Sequence, residues 1–162
     1  MTDPLVINYD GHGTGLTAWK FAFDLDSDGN KEQLSILQPG NGFLALDENN
    51  DGIINNGNEM FGPRSGNGFH DLAAYDEDGN HWIDENDSVF NRLQIWSLDE
   101  SGGSTLFSLG QKGIGAIYLG HAEPPFQLKD NQNQLLGQVS SSGIYLQEQG
   151  NVGIIQQLDL AT

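Results

Sequence analysis

The chain has 162 residues and no cysteine, which excludes a disulfide framework and cysteine-based zinc sites. Its formal net charge of −17 sets it against nucleic acid and anionic lipid, because binding a phosphate backbone needs Lys/Arg to displace counterions. Hydrophobic residues make up only 36%, there are 22 glycines, and no apolar run approaches the ~20 residues of a membrane span, which points to a loop-rich folded protein.

In chain order, residues 4–46 read as short strands. "LVINY" comes first, then "TAWKFAFD", where Trp19, Phe21 and Phe23 alternate with Lys20 and Ala22 and predict one buried face. "QLSIL" and "GFLAL" continue the pattern. Residues 47–93 read as calcium loops and helices: "GFHDLAAYD" sets Phe69, Leu72 and Ala73 at helical spacing, and "DSVFNRL" does the same with Val89, Phe90 and Leu93. From residue 94 strands return in "QIWSL", "GAIYLG", "FQLKD", "LLGQVS", "GIYLQE" and "VGIIQQLDL", with turns expected at 130–133 and at Gly150 and Asn151. The expected fold is α+β, mostly antiparallel β-strands with short central helices and EF-hand-like calcium loops, in a single domain over 1–162.

The acids are unevenly spread. From Glu32 to Asn91 there are twelve Asp/Glu and one basic residue, Arg64, so Lys/Arg pairing cannot neutralise the segment. Calcium takes six to eight oxygen ligands, supplied in a 12-residue loop from positions 1, 3 and 5, a carbonyl at 7 and a carboxylate at 12, with Gly at 6 for the turn. "DEDGNHWIDEND" fits: Asp76, Asp78 and Asn80 at 1, 3 and 5, the Trp82 carbonyl at 7, apolar Ile83 at 8 and Asp87 at 12. His81 stands where Gly is usual, and a helix is expected on either side. In "LDENNDGIINNGNEMFG", Asp47, Asn49 and Asp51 take 1, 3 and 5, Ile53 offers its carbonyl, Ile54 packs at 8, and Glu59 closes one residue late. "DLDSDGN" alternates Asp24, Asp26 and Asp28, with Glu32 able to reach back, although Asp-Gly between strands is also an ordinary hairpin turn. "NYDGHG" offers Asn8 and Asp10 as a weaker site, and "LDESGGS", with Asp99 and Ser101, lacks a closing acid. Two to four Ca2+ ions are expected. Zinc is disfavoured because His12, His70, His81 and His121 have no paired spacing.

Taken together, "DPLVINYDGHG", "GFLALDENNDGIINNGNEMFG" and "LAAYDEDGNHWIDENDSVFNRLQIW" resemble the FrpC-type calcium-dependent self-processing module of secreted bacterial RTX proteins. That resemblance implies a secreted or cell-surface bacterial location; because no basic-then-apolar signal segment opens the chain, its Met-Thr start is expected to be cut from something larger. The resemblance also implies that calcium folds the module and that the folded module cleaves its own Asp3–Pro4 bond, the freed Asp3 carbonyl being captured by water or by a lysine amine that crosslinks chains. Three functions stay open: a calcium-folded binding module, a single-turnover autocatalyst at Asp3 and Pro4, and a dockerin-like module that binds another protein. The unequal loops at Asp47 and Asp76, with strands around them, argue against the last, and no carboxylate pair stands apart from the metal pattern as a glycosidase site would need.

Overall fold

The computed structural model of the chain describes residues 4–11, 13–99, 101, 103–122, 126–129, 132 and 135–160. Among the described residues eleven strands are formed: β1 (Leu5–Asn8), β2 (Leu16–Phe23), β3 (Glu32–Leu37), β4 (Asn41–Leu46), β5 (Trp82–Asp84), β6 (Leu93–Leu98), β7 (Ser104–Ser108), β8 (Ile114–Ala122), β9 (Phe126–Lys129), β10 (Leu135–Gln147) and β11 (Val152–Leu160). Nine of them make one sheet in the order β5-β8-β10-β11-β1-β4-β6-β7, with β9 also paired to β10. β2 and β3 form a separate hairpin, and every pairing between these strands is antiparallel.

The middle of the sheet is buried on both faces, which is why β1 and β4 read as unbroken apolar runs rather than as alternations. Leu5, Ile7, Leu44 and Leu46 point into one core, with Phe61, Phe69, Leu72 and Ile83. Val6, Phe43 and Ala45 point into the other, which the β2–β3 hairpin covers with Leu16, Phe23, Leu34 and Leu37. Trp96, Phe23, Phe21 and Phe43 pack together there, the Phe23–Trp96 centroids 4.9 Å apart.

The expected α+β class is corrected by this architecture: the chain is mostly antiparallel β. The central segment holds one α-helix, α1 (Gly68–Ala73), with 3-10 turns at Gly57–Glu59 and Phe90–Arg92. α1 starts where the Asn67 side chain accepts the His70 N–H at 3.1 Å, and it buries Phe69 and Leu72. The second expected helix fails because its apolar spacing is only one turn long. The Leu93 N–H closes that turn on the Val89 carbonyl at 3.0 Å, and Leu93 then opens β6 opposite Leu46. A short apolar triplet satisfies a single turn and a strand start equally well.

Two further expectations change. Trp19 is not buried with Phe21 and Phe23: the β2–β3 register slips between Leu16 and Lys20, and Trp19 is 55% exposed. "LLGQVS" and "GIYLQE" are one long strand, β10, whose irregular register at Val139 and Ser141 lets it bend without ending. Of the expected turns, that at Gly150 is formed, its N–H donating to the Gln147 carbonyl at 2.9 Å, whereas 130, 131 and 133 lie outside the described residues.

The hairpin loop after β2 rests on the loop after β4. The Gly57 N–H donates to the Asp24 carbonyl at 2.9 Å, and a Cβ at Gly57 would overlap the Leu25 carbonyl oxygen. Because that neighbour is backbone, Gly57→Ala is expected to destabilise the folded chain by about 1–3 kcal/mol, the usual cost of overpacking. Urea unfolding of both proteins in the same buffer measures it, and an unchanged midpoint would contradict this account of the contact.

Candidate metal centres

Each main acidic loop hangs from the end of a regular element: Asp24 follows β2, Asp47 follows β4, and Asp76 comes two residues after the cap of α1. The three loops share one backbone design. The first aspartate accepts the N–H of the sixth residue, Gly29 at 3.0 Å, Gly52 at 2.7 Å and His81 at 2.9 Å. The fourth and sixth residues have positive φ: Ser27 and Gly29 at 61° and 91°, Asn50 and Gly52 at 56° and 77°, Gly79 and His81 at 67° and 68°. The closing acid accepts the N–H of the second residue, Leu25 to Glu32 at 3.0 Å, Glu48 to Glu59 at 2.9 Å and Glu77 to Asp87 at 2.7 Å. Backbone dipoles thus aim the acids inward and hold them close.

The loops differ in how far their carboxylates converge. Asp24, Asp26, Asp28 and Glu32 have oxygens within 4.8 Å of one another, and so do Asp76, Asp78 and Asp87. Asp87 is 1% exposed, its second oxygen taking the Asp84 N–H at 3.0 Å. Asp76 Oδ1 is buried without a hydrogen-bond partner, an oxygen that a bound cation would satisfy. The donor set of hard, mostly anionic oxygens fits Ca2+.

The 47–59 loop is arranged differently. Glu59 is buried and spends its other oxygen on the Asn55 N–H at 2.8 Å, while the Asn55 side chain donates to Asp51 at 3.0 Å and accepts from Asn49 at 3.1 Å. Among the described residues, Asp47, Asp51 and Glu59 do not form one convergent carboxylate group. Ile54 is buried and Ile53 exposed, whereas Trp82 lies half-buried against Tyr118 in β5, with Ile83 buried behind it.

Asn8 and Asp10 sit in a fourth turn of the same shape. Gly11 and Gly13 have φ of 78° and 92°, and the Gly13 N–H reaches Asn8 Oδ1 at 3.3 Å. Here the second N–H, from Tyr9, goes to the Gly40 carbonyl at 2.8 Å, and Asn8 Nδ2 binds Asp10 and Asn41, so amides stand where the other loops place a closing acid. His12 lies outside the described residues, as does Asp3, while Pro4 is buried at the head of β1. The Asp99 carboxylate folds back on Ser101 and the Gly103 N–H at 2.8 Å, and the Ser101 hydroxyl foremost holds it below the usual carboxylate range.

Crowding marks the two convergent groups. Asp26 is raised above the usual carboxylate range by lost solvation first, then by the charges of Asp28 and Glu32. Asp78 is raised likewise, lost solvation leading, then Asp76, Asp87 and Asp84. Backbone donors act oppositely: the Asn30 N–H lowers Asp28, and the Ile53 N–H lowers Asp51. Asp84, absent from the candidates read in the sequence, accepts from Asn80 Nδ2 at 3.2 Å; its signal was position 9 of the same 12-residue template.

His81 holds a left-handed backbone that costs an L-residue about 1–2 kcal/mol, against the roughly 0.5–1 kcal/mol of extra chain entropy that Gly loses on folding. His81→Gly is therefore expected to raise stability by up to about 1 kcal/mol. A lower melting temperature in a thermal melt would show that the imidazole makes a stabilising contact of its own.

The chain matches the SPM domain family over residues 5–161. It is 30% identical, over 175 aligned positions, to the iron-regulated protein FrpA of Neisseria meningitidis serogroup C. That match covers 98% of this chain but 15% of the relative, so the chain spans only a small part of that relative's length. With agreement running almost from end to end, this chain belongs to the SPM domain family.

Proposed function

We propose that the chain is a calcium-binding module of a larger secreted or cell-surface bacterial protein, ordered by two to four Ca2+ ions. The observation that carries this reading is Asp76 Oδ1, buried and unpartnered among Asp78 and Asp87 within 4.8 Å. Asp76, Asp78, Asp87 and the Asn80 side chain would hold one ion; Asp24, Asp26, Asp28 and Glu32 would hold another. Asp47, Asn49, Asp51 and Glu59, with the Ile53 and Trp82 carbonyls, complete the proposed ligands, and Asn8 and Asp10 form the weakest site. Calcium supplies the positive charge that Lys/Arg do not. Sites with dissociation constants of about 10⁻⁴–10⁻³ M would fill outside a cell and stay empty in the cytosol, coupling folding to export.

Native mass spectrometry of metal-free protein, before and after millimolar calcium, counts the ions. At least two are expected, with one fewer for Asp76→Asn and loss of ordered structure on chelation by circular dichroism. A melt indifferent to chelator would sink the reading.

A second reading, single-turnover cleavage of Asp3–Pro4, is favoured by how the leaving proline is held. The Pro4 carbonyl accepts the Leu158 N–H at 3.0 Å, and the Leu5 N–H donates to the Phe61 carbonyl at 3.0 Å. The Asp3 side-chain oxygen would attack the Asp3 carbonyl carbon, closing a five-membered anhydride. The C–N bond to Pro4 breaks, and the carboxyl proton passes to the prolyl nitrogen. Water then opens the anhydride to two carboxyl groups, or a lysine amine opens it to an amide and joins two chains. Proline at this place has no N–H with which to attack the Asp3 side chain instead. Orientation of the reacting groups is worth roughly 7–11 kcal/mol in such intramolecular steps. The expected product begins at Pro4, forms only with calcium, and is abolished in Asp3→Ala; N-terminal sequencing of the fragment checks this.

A further inference from the structure

The first residues of β1 are seated on a turn that lies between two of the acidic loops. Glu59, which closes the 47–59 loop, is two residues before Phe61, whose carbonyl accepts the Leu5 N–H. At the far end of the turn, Gly68 begins α1, which leads into Asp76; the Asp76 N–H donates to the Ala73 carbonyl at 3.1 Å. Gly68 lies directly on the strand: a Cβ there would come within 2.5 Å of Leu5 Cγ and 2.9 Å of the Phe61 carbonyl oxygen. Whatever fixes residues 61–68 therefore fixes the start of β1.

Gln157 does that from the opposite side. It is the register partner of Leu5 in β11, and it is 5% exposed. Its Oε1 accepts the Gly68 N–H at 2.7 Å, and its Nε2 donates to the Gly66 carbonyl at 3.2 Å and to Ser140 Oγ at 3.1 Å. Ser140 is placed for this by the irregularity in β10, where the register passes from Val139 to Ser141 and leaves it out of the pairing. One buried amide thus ties two strands to both ends of the Gly66–Gly68 turn, with donor and acceptor sides both used.

We infer that Gln157 is a positioning residue for cleavage at Asp3–Pro4, acting through the 61–68 turn that seats Leu5. The inference rests on the self-cleavage reading. Gln157 makes no chemical contribution of its own. It keeps the leaving proline in one place relative to a turn whose two ends are bound to the acidic loops.

The test follows the first-order appearance of the fragment beginning at Pro4, at saturating calcium, in full-length wild type, Gln157→Met and Ser140→Ala. Circular dichroism and calcium stoichiometry are read on the same samples. Gln157→Met keeps the length of the side chain and removes the amide. It is expected to bind the same number of ions, stay folded, and cleave roughly ten- to a hundredfold more slowly, since small misplacements cost that much in oriented reactions. A merely structural role would move the melting temperature and the calcium midpoint but not the rate of folded, saturated molecules. A folded Gln157→Met cleaving at the wild-type rate overturns the inference and leaves the cleavage reading intact. Should Gln157→Met not fold in calcium, Ser140→Ala decides: slower cleavage at saturation supports the inference, and an unchanged rate overturns it. Wild type that yields no fragment removes the cleavage reading, and the inference falls with it.

Discussion

Carboxylates in this fold are drawn together by backbone N–H groups, with almost no basic side chains to oppose them. In the 24–32 and 76–87 loops the acids are brought within 4.8 Å of one another, although Lys31 is the one basic residue within 24–32 and Arg64 the one from Glu32 to Asn91. Hydrogen bonds from N–H groups orient the oxygens and lower some of them, as the Asn30 N–H lowers Asp28. They do not cancel the lost solvation and, after it, the mutual repulsion that raise Asp26 and Asp78. A cation is the one partner that removes both costs together, the repulsion and the lone oxygen of Asp76. The sheet, by contrast, is an ordinary apolar construction. The coupling between the two is therefore the main physical question about the molecule.

That coupling is made at strand ends. β2 and β4 run straight into acidic loops, so the last paired residue of each strand is covalently next to the first candidate ligand. The loops also touch each other, through the Gly57 N–H on the Asp24 carbonyl and through Ser27 Oγ, which receives the Asn58 N–H at 3.1 Å. Ordering one loop restricts the other, and ordering both restricts the ends of the strands that carry the two cores. Calcium would act here as a fastening for a sheet that is already well paired, which differs from an isolated helix–loop–helix unit whose helices move on binding.

How much of this could be read in the residues depended on the length of each signal. β1 and β4 were legible as apolar runs, and Ile54 and Ile83 fall in the cores as position 8 of the loop template requires. The extra helix was misread because Val89, Phe90 and Leu93 offer only one turn of pattern, too little to choose between a 3-10 turn and the start of β6. Trp19 was misread because a slip of register in β2 carries no mark in the sequence. β7, "STLFS", was missed because its side chains are only partly buried and its alternation is weak. Asp84 was legible in principle, since position 9 is part of the template. The shared backbone of the loops was half legible: Gly29 and Gly52 announce a left-handed turn, while His81 takes the same conformation without the residue that signals it.

The position of β1 brings residues from far along the chain to its N-terminal end. All four of its residues pair with β11, Val6, Ile7 and Asn8 pair also with β4, and the strand is buried on both faces. Such a strand cannot tilt or slide without disturbing two cores, and a one-residue slip would exchange Leu5 and Ile7 for Val6 between them. Its middle is therefore fixed by packing, and freedom remains chiefly at its ends. One end, Asn8, is held by Gly13, Asn41 and the hydroxyl of Tyr145, which donates to the Asn8 carbonyl at 2.7 Å. The other end, Pro4 and Leu5, leans on Leu158 and on the 61–68 turn. That turn lies between two acidic loops in the chain, so order in the loops reaches this end through the turn. Pro4 and Leu5 are thus held both by the pairing of the sheet and by a turn that joins two acidic loops.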